Sequence, residues 1–576
     1  MYCALYRRNP SLNMNLTFFK SATVGLAAFV LAATGLAADK KLTLGELFPA
    51  DRVLEVQITV AEKDWDKIRQ QSRNFVSALH ESRKVKPIDG PYEYVNADVT
   101  IDGVKFEKVG LRKKGFIGSQ SSSRPSLKIK LNHTDKEQAI GGLTNLTMNN
   151  NKQDGSIVSQ YMGYAIFNAA GSTAPRCAFA KVTVNGKNLG IYSHVESVRK
   201  PLLARGFGND AGTLYEGTVV DFYEDWEGSL EHKRGDDKLG REKIRQLTQL
   251  LESDDVSEEA IGRLVDLDSF YRYWAIEGLL GFWDGYSGNA NNFFIYLNPK
   301  TDRFHFMPWG ADALFRKRGM LNFNFRAPIS VKTKGRVAHF LYQTENGRER
   351  YRKALHGLLK EYWVEDKLLA ECDRIEALLK PHLSREQYRF SRSLNGTRDF
   401  IEARRGDLIK ETKEGMPEWR KEPKAPPVIA AIGKIKAKFA ATWMEDSPRE
   451  RTNIGKVEIS LTMNGKEVAM KDAGVHASWT GGFGRSSKPS VLIVARRADN
   501  DKQVSFDLGM EEDAFRAGDD IQSGGVLKEG RSFSFGPLGM QFIGGKTQLS
   551  AAGMREGDKV EGEFEGEVMK LIGMGR

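Results

Sequence analysis

Residues 283–292 read Trp-Asp-Gly-Tyr-Ser-Gly-Asn-Ala-Asn-Asn and join two elements of different type. They follow residues 266–282, whose apolar positions have helical spacing, and they precede residues 292–298, an apolar run typical of a buried strand. The glycine, serine and asparagine residues between them are typical of a polar loop. A helix that leads through such a loop into a buried strand indicates a mixed, α+β architecture.

Strands predominate upstream of this loop, and helices predominate downstream. Residues 54–60 alternate between apolar and polar side chains, which predicts a half-buried strand. The dipeptides Asp102-Gly103 and Asn185-Gly186 each separate two apolar runs and predict hairpin turns. Residues 337–379 have helical spacing. We therefore predict one domain over residues 39–416, with a β-rich N-terminal part and a helical C-terminal part.

The character of the sequence changes after residue 416. Residues 417–427 are rich in Pro, Lys and Glu, which predicts a linker that we extend over 417–455. From residue 456 onward, short alternating runs are separated by Gly-containing turns such as Asn464-Gly465. This pattern predicts a separate small all-β domain over 456–576, either a β-sandwich or a barrel-like fold.

Residues 1–38 have the features of a secretory signal peptide. Basic residues, the last of them Lys20, precede an apolar run over 22–38 that ends in Gly-Leu-Ala-Ala, and Met14 is an alternative start. A single membrane anchor is the competing interpretation, but the run is short for a bilayer span of roughly 20 residues. We expect an extracytoplasmic protein (periplasmic, cell-surface or secreted) without a stable transmembrane segment after cleavage.

The overall charge is moderately basic. The 576 residues include 86 Lys and Arg against 75 Asp and Glu, a net charge of +11, which favours acidic partners such as nucleotides, acidic proteins or anionic polysaccharides. The cations are interspersed with acids and form no basic stripe, so we expect no nucleic-acid partner. Cys3, Cys177 and Cys372 match no zinc motif. The last two are interpreted as buried thiols, and one disulfide between them is the alternative.

Asp284 and the asparagines after it are the candidates for chemistry in the 283–292 loop. A carboxylate can orient a hydroxyl nucleophile, and the carbonyl of Asn291 or Asn292 can bind Mg²⁺. Asp312 follows the next predicted strand, where a carboxylate can hold Mg²⁺ on nucleotide phosphates. The competing interpretation is that these residues only form turns. The sequence contains no His-Glu-x-x-His motif, no nucleophile elbow and no standard kinase Gly-rich loop or His-Arg-Asp triplet.

Two upstream segments add cations and one acid. Residues 109–115 read Val-Gly-Leu-Arg-Lys-Lys-Gly and lead into a Ser-rich loop that contains Arg124 and Lys128. Such a loop can hold phosphates through backbone N–H groups and its flanking cations, although a flexible hairpin with solvated charges is the alternative. Glu196 ends the strand after the Asn185-Gly186 turn, where it either pairs with a cation of the site or faces water.

Taken in order, these motifs resemble the CotH (spore coat protein H) family of atypical kinases over about residues 54–379. The resemblance is carried by Gly-x-Arg-x-Lys-Gly at 110–115, Ser-Ser-Arg-Pro-Ser-x-Lys at 122–128, Asn-Gly-x-x-x-Gly-x-Tyr at 185–192 with Glu196, Asp284 with Asn291-Asn292, and Pro308-Trp309 with Asp312. Each motif is weak alone. Five of them in the family's order are more specific.

The resemblance implies an atypical protein-kinase-like core that uses ATP with Mg²⁺ or Mn²⁺ to phosphorylate Ser or Thr. Asp284 would then be the catalytic carboxylate. The metal would be bound by Asn291, Asn292 and Asp312, and the phosphates would be met by Arg112, Arg124 and Lys128, with Glu196 in the same nucleotide site. The partner would be a protein of the cell envelope or a secreted protein, and the C-terminal domain would contact polysaccharide or a surface.

The sequence departs from the family at Gly310. The family often has Trp-Asp-x-Asp where this chain has Trp309-Gly310-Ala311-Asp312, so a first carboxylate is replaced by glycine. Arg124 also stands where a lysine is common, and the two cations are not interchangeable at a phosphate site. These departures leave a second hypothesis open, a non-catalytic extracytoplasmic binding or scaffold protein on the same fold. A third, a hydrolase of envelope polymers, has no recognisable motif.

Overall fold

The computed structural model describes residues 41–73, 78–87, 90–319, 326–423, 425–445, 454–480, 488–518, 520–530 and 541–572. Residues Leu42–Arg576 cluster into one compact unit. The predicted signal peptide at 1–38 lies outside the described residues. Strand-rich and helical parts are both present in this unit, which confirms the mixed α/β architecture predicted from the sequence.

The first strand-rich part is a closed barrel of β1 (Leu54–Val60), β2 (Val95–Ile101), β3 (Val104–Lys114), β4 (Ser126–Lys130), β5 (Asn145–Asn149), β6 (Cys177–Val184) and β7 (Lys187–Glu196). Its strand order is β1-β2-β3-β4-β5-β7-β6, and β1 closes the barrel by pairing antiparallel with β2 and parallel with β6. Alternate side chains such as Leu54, Val99, Leu111 and Leu146 are buried together in the barrel.

A second sheet follows, formed by β8 (Thr213–Gly217), β9 (Glu231–Arg234), β10 (Phe293–Asn298) and β11 (Arg303–Pro308). Its order is β11-β10-β8-β9, with antiparallel pairing throughout. The Asp284 loop leads directly into β10, the central strand between β11 and β8, and Asp312 lies just after β11. The pairing of β10 with β11 therefore brings the two predicted catalytic segments to the same end of one sheet.

The described helices mostly pack around this sheet in the largest core of the molecule, although Ile68 of the first helix belongs to the barrel core. They are α1 (Glu62–Gln70), α2 (Ser159–Ala169), α3 (Lys200–Phe207), α4 (Asp237–Glu252), α5 (Glu258–Gly262), α6 (Leu267–Leu280), α7 (Tyr286–Asn289), α8 (Arg336–Gln343), α9 (Glu345–Glu361), α10 (Glu365–Leu379) and α11 (Phe390–Glu411). Aromatic side chains dominate the contact between α6 and α9, where the ring centroids of Trp274 and Tyr351 are 4.3 Å apart.

The last part of the chain is a nine-stranded sheet with the order β14-β13-β12-β20-β19-β18-β17-β16-β15. Its strands are β12 (Val428–Thr442), β13 (Lys456–Met463), β14 (Lys466–Glu467), β15 (Met470–Thr480), β16 (Lys488–Arg497), β17 (Gln503–Gly509), β18 (Asp520–Glu529), β19 (Gln541–Ala552) and β20 (Lys559–Ile572). Phe439, Leu461, Ile493 and Phe564 belong to its separate hydrophobic core.

The structure differs from the sequence prediction in the segment 417–455. This segment was predicted as a linker, but it contains β12, a long strand paired with both β13 and β20. Ile435, Ala437, Phe439 and Ala441 alternate there with exposed residues, several of them lysines, so the strand is amphipathic despite its many cations. The start of this sheet also contacts the preceding part, because Arg83 donates to the carbonyl of Pro427 at 3.2 Å.

Candidate active site

The Asp284 carboxylate is held by three side-chain amides of its own loop. Its Oδ1 accepts hydrogen bonds from Nδ2 of Asn289 at 2.8 Å and Nδ2 of Asn291 at 3.1 Å, and its Oδ2 accepts one from Nδ2 of Asn292 at 3.0 Å. Burial raises the pKa of Asp284, and the three amide donors oppose that shift because they stabilise the charged form. The loop therefore fixes one carboxylate in one orientation.

Glu277, a fully buried residue of α6, fixes the loop through hydrogen bonds with its backbone. Its carboxylate accepts hydrogen bonds from the backbone N–H groups of Tyr286 and Ser287, both at 2.8 Å. A side chain at Gly285 would place its Cβ 2.1 Å from Oε1 of Glu277, so only glycine fits between them. The glycine of the sequence motif is thus explained by the close approach of a buried acid.

Asn291 and Asn292 have different roles, although the sequence does not separate them. Both ends of the Asn291 amide are used, because Nδ2 donates to Asp284 and Oδ1 accepts from the N–H of Val219 at 3.0 Å. Asn292 donates through Nδ2 to the backbone carbonyl and Oδ2 of Asp284. Within the ranges that the structure describes, no donor contacts Oδ1 of Asn292. Its carbonyl oxygen is therefore the better placed of the two to bind a cation.

The glycine that replaces the family's first carboxylate faces Asn292. Gly310 has φ = +50°, and a Cβ there would lie 2.5 Å from Oδ1 of Asn292. Asn292 itself has φ = +52°, a conformation that is uncommon for residues other than glycine but is adopted by asparagine. An aspartate at position 310 would be strained and would displace the Asn292 amide, so the Asn292 carboxamide takes the space that the missing side chain would need.

Asp312 is buried beside other negative charges. Burial, together with the nearby carboxylates of Asp284 and Asp154, raises its pKa to about 7, while Lys114 and a hydrogen bond with Asn149 favour its charged form. Asp154 caps the start of α2, since its Oδ2 accepts from the N–H of Ser159 at 2.9 Å. The accumulated negative charge is what a bound cation would neutralise.

Cations of the barrel approach these carboxylates. In the register of β3 and β4, Arg112 pairs with Lys128 and Lys114 pairs with Ser126, so the three cations point to the face of the sheet opposite Leu111. Burial lowers the pKa of Lys128 to about 7, and the positive charge of Arg112 adds to this shift. Burial also lowers the pKa of Lys114, against the attraction of Asp312 and the second sheet's Glu216.

Glu216 on β8 lies among these cations. It forms an ion pair with Lys233 at 2.6 Å. Although burial alone would raise its pKa, the charges of Lys233, Lys128 and Lys114 hold the pKa below its usual value. Lys114, Lys128 and Lys233 thus lie around Glu216, and Lys114 also lies near Asp312. Cations in this arrangement can meet a polyanion such as a nucleotide phosphate chain.

Arg124 and Glu196 are engaged with the protein itself. Arg124 donates from Nε to the carbonyl of Leu189 at 2.6 Å and from Nη2 to that of Ile191 at 3.1 Å. The fully buried Glu196 forms ion pairs with Arg176 and Arg205, both at 2.8 Å. These contacts tie the Ser-rich loop and the end of β7 to their neighbours, and a role of either residue in nucleotide binding stays a prediction.

Sequence reasoning did not select Lys114, Glu216 or Asp154 as site residues. Lys114 was detectable, because it lies two residues after Arg112 on a predicted strand and so shares its face. Asp154 follows three consecutive asparagines, Asn149 to Asn151, a polar run that is typical of a turn and indicates no specific role. Glu216 had no local signal, because its position beside Lys128 depends on how the second sheet meets the barrel.

The oxygen donors present fit a hard divalent cation. The carboxylate of Asp312, the carbonyl of Asn292 and the neighbouring Asp284 supply the oxygen ligands that Mg²⁺ and Mn²⁺ prefer, and Mg²⁺ commonly uses one or two carboxylates with phosphates and water. In the described part of the chain, no three or more His, Cys, Asp or Glu side chains form a metal-binding group on their own. Nucleotide phosphates would therefore have to complete the coordination.

The model of the CotH kinase protein family matches residues 111–409, and the chain belongs to this family. It is 26% identical over 285 residues to the inner spore coat protein H of Bacillus subtilis (strain 168), covering 46% of this chain and 77% of that protein. It is 22% identical over 231 residues to the invasin CotH2 of Rhizopus delemar, covering 36% of this chain and 38% of that protein. Membership of the family indicates a kinase-like function.

Among solved structures, the Helicobacter pylori proinflammatory kinase CtkA matches with 15% sequence identity and a TM-score of 0.27, covering 52% of this chain and 92% of that one. Separately, no helix within the described ranges is both long enough and apolar enough to cross a membrane.

Proposed function

We propose that the chain is an exported, ATP-dependent protein kinase that phosphorylates Ser or Thr of envelope or secreted proteins. The observation that carries this proposal is a cluster of charged side chains in which the buried Asp312 lies near Asp284 and Lys114, while Glu216 lies near Lys114 and Lys128. Phosphoryl transfer needs this combination, because the nucleotide is a polyanion and the nucleophile is a hydroxyl that loses a proton.

Each side chain has a defined task in the proposed reaction. Arg112, Lys114 and Lys128 bind the phosphates of ATP. Asp284 orients the acceptor hydroxyl, whose oxygen attacks the γ-phosphorus while the bond to the bridging oxygen breaks and ADP leaves. The hydroxyl proton passes to Asp284, whose raised pKa suits it to accept that proton.

Asn292 and Asp312 would hold Mg²⁺ or Mn²⁺. When bound, the metal supplies charge neutralisation on the phosphates. The Asn289, Asn291 and Asn292 amides hold Asp284 in place through hydrogen bonds to its carboxylate. Glu216 opposes the loss of a proton from Lys114 and Lys128, although burial still lowers the pKa of both lysines.

A non-catalytic binding protein on the same fold is the second candidate, and Gly310 favours it. The chain lacks a carboxylate at this position, and the space in front of Gly310 is filled by Asn292. Such a protein would bind nucleotide or another anion in the cleft without transferring phosphate. It would bind the anion through Arg112, Lys114 and Lys128, and this binding would not depend on Asp284.

The extracytoplasmic location and the domain division are parts of the same proposal. We take residues 1–38 as the signal peptide, 39–416 as the kinase domain and the nine-stranded sheet, which begins at β12, as a β domain that contacts polysaccharide or a surface. Two relatives support a coat or surface location through their names, an inner spore coat protein and an invasin. N-terminal sequencing of the exported protein tests the cleavage site.

Incubation with γ-labelled ATP and Mg²⁺ or Mn²⁺ tests the activity. Label should reach the protein itself or a Ser-containing acceptor, and the transfer should disappear in Asp284→Asn and Asp312→Ala variants that remain folded. Metal-dependent nucleotide binding without transfer would favour the binding protein. Absence of both would contradict the kinase proposal.

A further inference from the structure

Arg83 is an almost fully buried arginine outside the candidate active site. Its relative exposure is 2%, and burial lowers its pKa to about 10. The guanidinium donates hydrogen bonds to the backbone carbonyls of Thr218, at 2.7 Å, and Val219, both in the segment that follows β8. It also donates to the carbonyl of Pro427, the residue before β12, at 3.2 Å. One buried side chain thus joins the segment after β8 to the start of the nine-stranded sheet.

Val219 has a strained backbone conformation. Its φ angle is +48°, which is uncommon for any residue other than glycine and is an outlier for a β-branched residue. Such a conformation persists where the surrounding contacts enforce it. The carbonyl of Val219 accepts from Arg83, its N–H donates to Oδ1 of Asn291 at 3.0 Å, and the next N–H, of Val220, donates to the carbonyl of Ala290 at 2.9 Å. Hydrogen bonds therefore fix both polar backbone groups of Val219.

Asn291 connects this strained residue to the Asp284 carboxylate. The Oδ1 of Asn291 accepts from Val219, and its Nδ2 donates to Oδ1 of Asp284 at 3.1 Å. A continuous series of hydrogen bonds therefore runs from the Arg83 guanidinium through Val219 and Asn291 to Asp284. Every contact in this series joins segments that are distant in the sequence, except the last.

The 78–87 segment, which carries Arg83, packs between the nine-stranded sheet and the connection from β8 to β9. The guanidinium carbon of Arg83 lies 5.2 Å from the ring centroid of Trp226, which belongs to that connection. Leu79 shares a hydrophobic cluster with side chains of β12 and β20, namely Ile429, Met569 and Leu571. Contacts of its own segment therefore hold Arg83, in addition to the carbonyls to which it donates.

A purely structural role would explain the hydrogen bonds of Arg83 to Thr218 and Pro427. It would not explain why a strained residue is kept at the point where this segment meets Asn291. A group that takes part in a reaction needs an accurate orientation, and a displacement of about 1 Å can lower a rate by about 10²-fold. A strained residue that is held on both of its backbone groups can supply this accuracy.

We propose that Arg83 is a positioning residue for the proposed phosphate transfer, because it holds Val219 and thereby orients Asn291 and the Asp284 carboxylate. Arg83 acts through these residues and not by contact with the substrate. Since the same guanidinium donates to Pro427, the nine-stranded sheet contributes to the order of the active site. This inference rests on the proposed kinase function and adds a residue and a region of the chain to it.

The steady-state kinetics of the full chain with ATP, Mg²⁺ and a Ser peptide test the inference. Arg83→Met should lower kcat by about 10- to 100-fold, because Asp284 loses its orientation. The KM for ATP should stay unchanged, because Arg112, Lys114 and Lys128 are proposed to bind the phosphates. Arg83→Lys should keep more of kcat than Arg83→Met, since an ammonium group can donate to some of the same carbonyls but lacks the planar fork of arginine.

A second substitution tests whether the effect passes through Val219. Glycine adopts positive φ angles without steric cost, and Val219→Gly keeps the N–H that donates to Asn291. The double variant Arg83→Met, Val219→Gly should therefore have a higher kcat than Arg83→Met alone. In an Asn291→Ala background, Arg83→Met should cost less than in the wild type, because the series of hydrogen bonds is already interrupted.

Arg405→Met is the matched control for a loss of stability without a loss of positioning. Arg405 also donates to a backbone carbonyl, that of Trp363, and it pairs with Glu365 at 2.7 Å. Its removal should lower the thermal unfolding temperature and leave kcat and both KM values unchanged. Each kcat is expressed per folded molecule, with the folded fraction taken from the unfolding curve.

The outcomes separate this inference from the function on which it rests. A folded Arg83→Met protein with the kcat of the wild type overturns the positioning role while phosphate transfer itself stands. No recovery by Val219→Gly, together with the same fractional loss in the Asn291→Ala background, overturns it as well. If Arg83→Met does not fold, Arg83→Lys with and without Val219→Gly decides by the same criterion. No transfer by the wild type would contradict the kinase function, and the positioning role would fall with it.

Discussion

The two carboxylates of the candidate site, the half-buried Asp284 and the buried Asp312, have different surroundings. Asp284 accepts hydrogen bonds from three amides of its own loop. Asp312 faces the negative charges of Asp284 and Asp154, and its pKa is raised to about 7. The difference shows that one acid is already held in its working position by protein donors. The charged form of the other is destabilised by burial and by two acidic neighbours, and Lys114 and Asn149 offset this only in part.

The removal of the Asp284 charge should have the largest effect. Asp284→Asn is expected to lower phosphate transfer by about 10³-fold, because it removes the carboxylate that is proposed to accept the hydroxyl proton. Transfer is measured with saturating ATP and metal. The matched control is Asn289→Ala, which removes one hydrogen bond to Asp284 and keeps the carboxylate. A similar loss in both variants would mean that the loop's structure matters and the charge does not.

Asp312 should make the protein less stable at neutral pH in the absence of divalent cations. Its folded pKa of about 7 lies above the ordinary 3.8, so the folded state binds more protons than the unfolded state between these values. Stability therefore falls as pH rises through this window, by up to about 4 kcal/mol.

Urea unfolding at pH 5 and pH 8, in the wild type and in Asp312→Asn, measures this effect. The free energy of unfolding of the variant should fall less than that of the wild type between pH 5 and pH 8. Saturating Mg²⁺ with ATP should raise the stability of the wild type at pH 8 more than that of the variant. The same pH dependence in both proteins would show that the ionisation of Asp312 does not cause the loss of stability.

Restoration of the family's first carboxylate should not improve the site. Gly310→Asp is expected to lower the free energy of unfolding by about 1–2 kcal/mol, because the backbone at this position is left-handed. The clash between the new Cβ and Oδ1 of Asn292 should lower the free energy of unfolding further. Transfer should fall as Asn292 is displaced. Gly465→Asp is the control, since Gly465 has φ = +75° but open space around it. A more active Gly310→Asp protein would contradict the role given to Asn292.

The smallest expected effects distinguish Lys128 from Arg124, two cations to which the sequence analysis assigns the same role. Lys128→Gln should weaken ATP binding by about tenfold, because it removes one charged contact. Arg124→Gln should instead lower stability by about 1–3 kcal/mol, because the carbonyls of Leu189 and Ile191 lose a buried donor. Calorimetric titration and thermal unfolding measure the two quantities. A reversed pattern would place the phosphates beside Arg124.

The sequence was informative wherever a local pattern determined the structure. The Asn185-Gly186 turn has the positive φ angles, 47° and 78°, that its hairpin requires, and the β6–β7 pairing follows from it. Asp284, Asn292 and Asp312 were selected from short motifs and meet at the ends of β10 and β11. These features depend on neighbours in the chain.

The sequence was uninformative where contacts join distant segments. Nothing near Arg124 indicates that its guanidinium reaches β7, and nothing near Glu216 indicates that Lys128 lies beside it. The strand β12 was missed because its lysines obscured the alternation of Ile435, Ala437 and Phe439. Long-range register and partner choice are set by packing, which one sequence does not display.

The phosphorus NMR spectrum of ATP incubated with the protein, Mg²⁺ and a Ser peptide tests the central claim most directly. A kinase predicts a phosphomonoester signal that grows in step with ADP and is absent with Asp284→Asn. ADP with inorganic phosphate alone would indicate hydrolysis. An unchanged ATP spectrum would contradict phosphoryl transfer and leave a protein that only binds in its cleft.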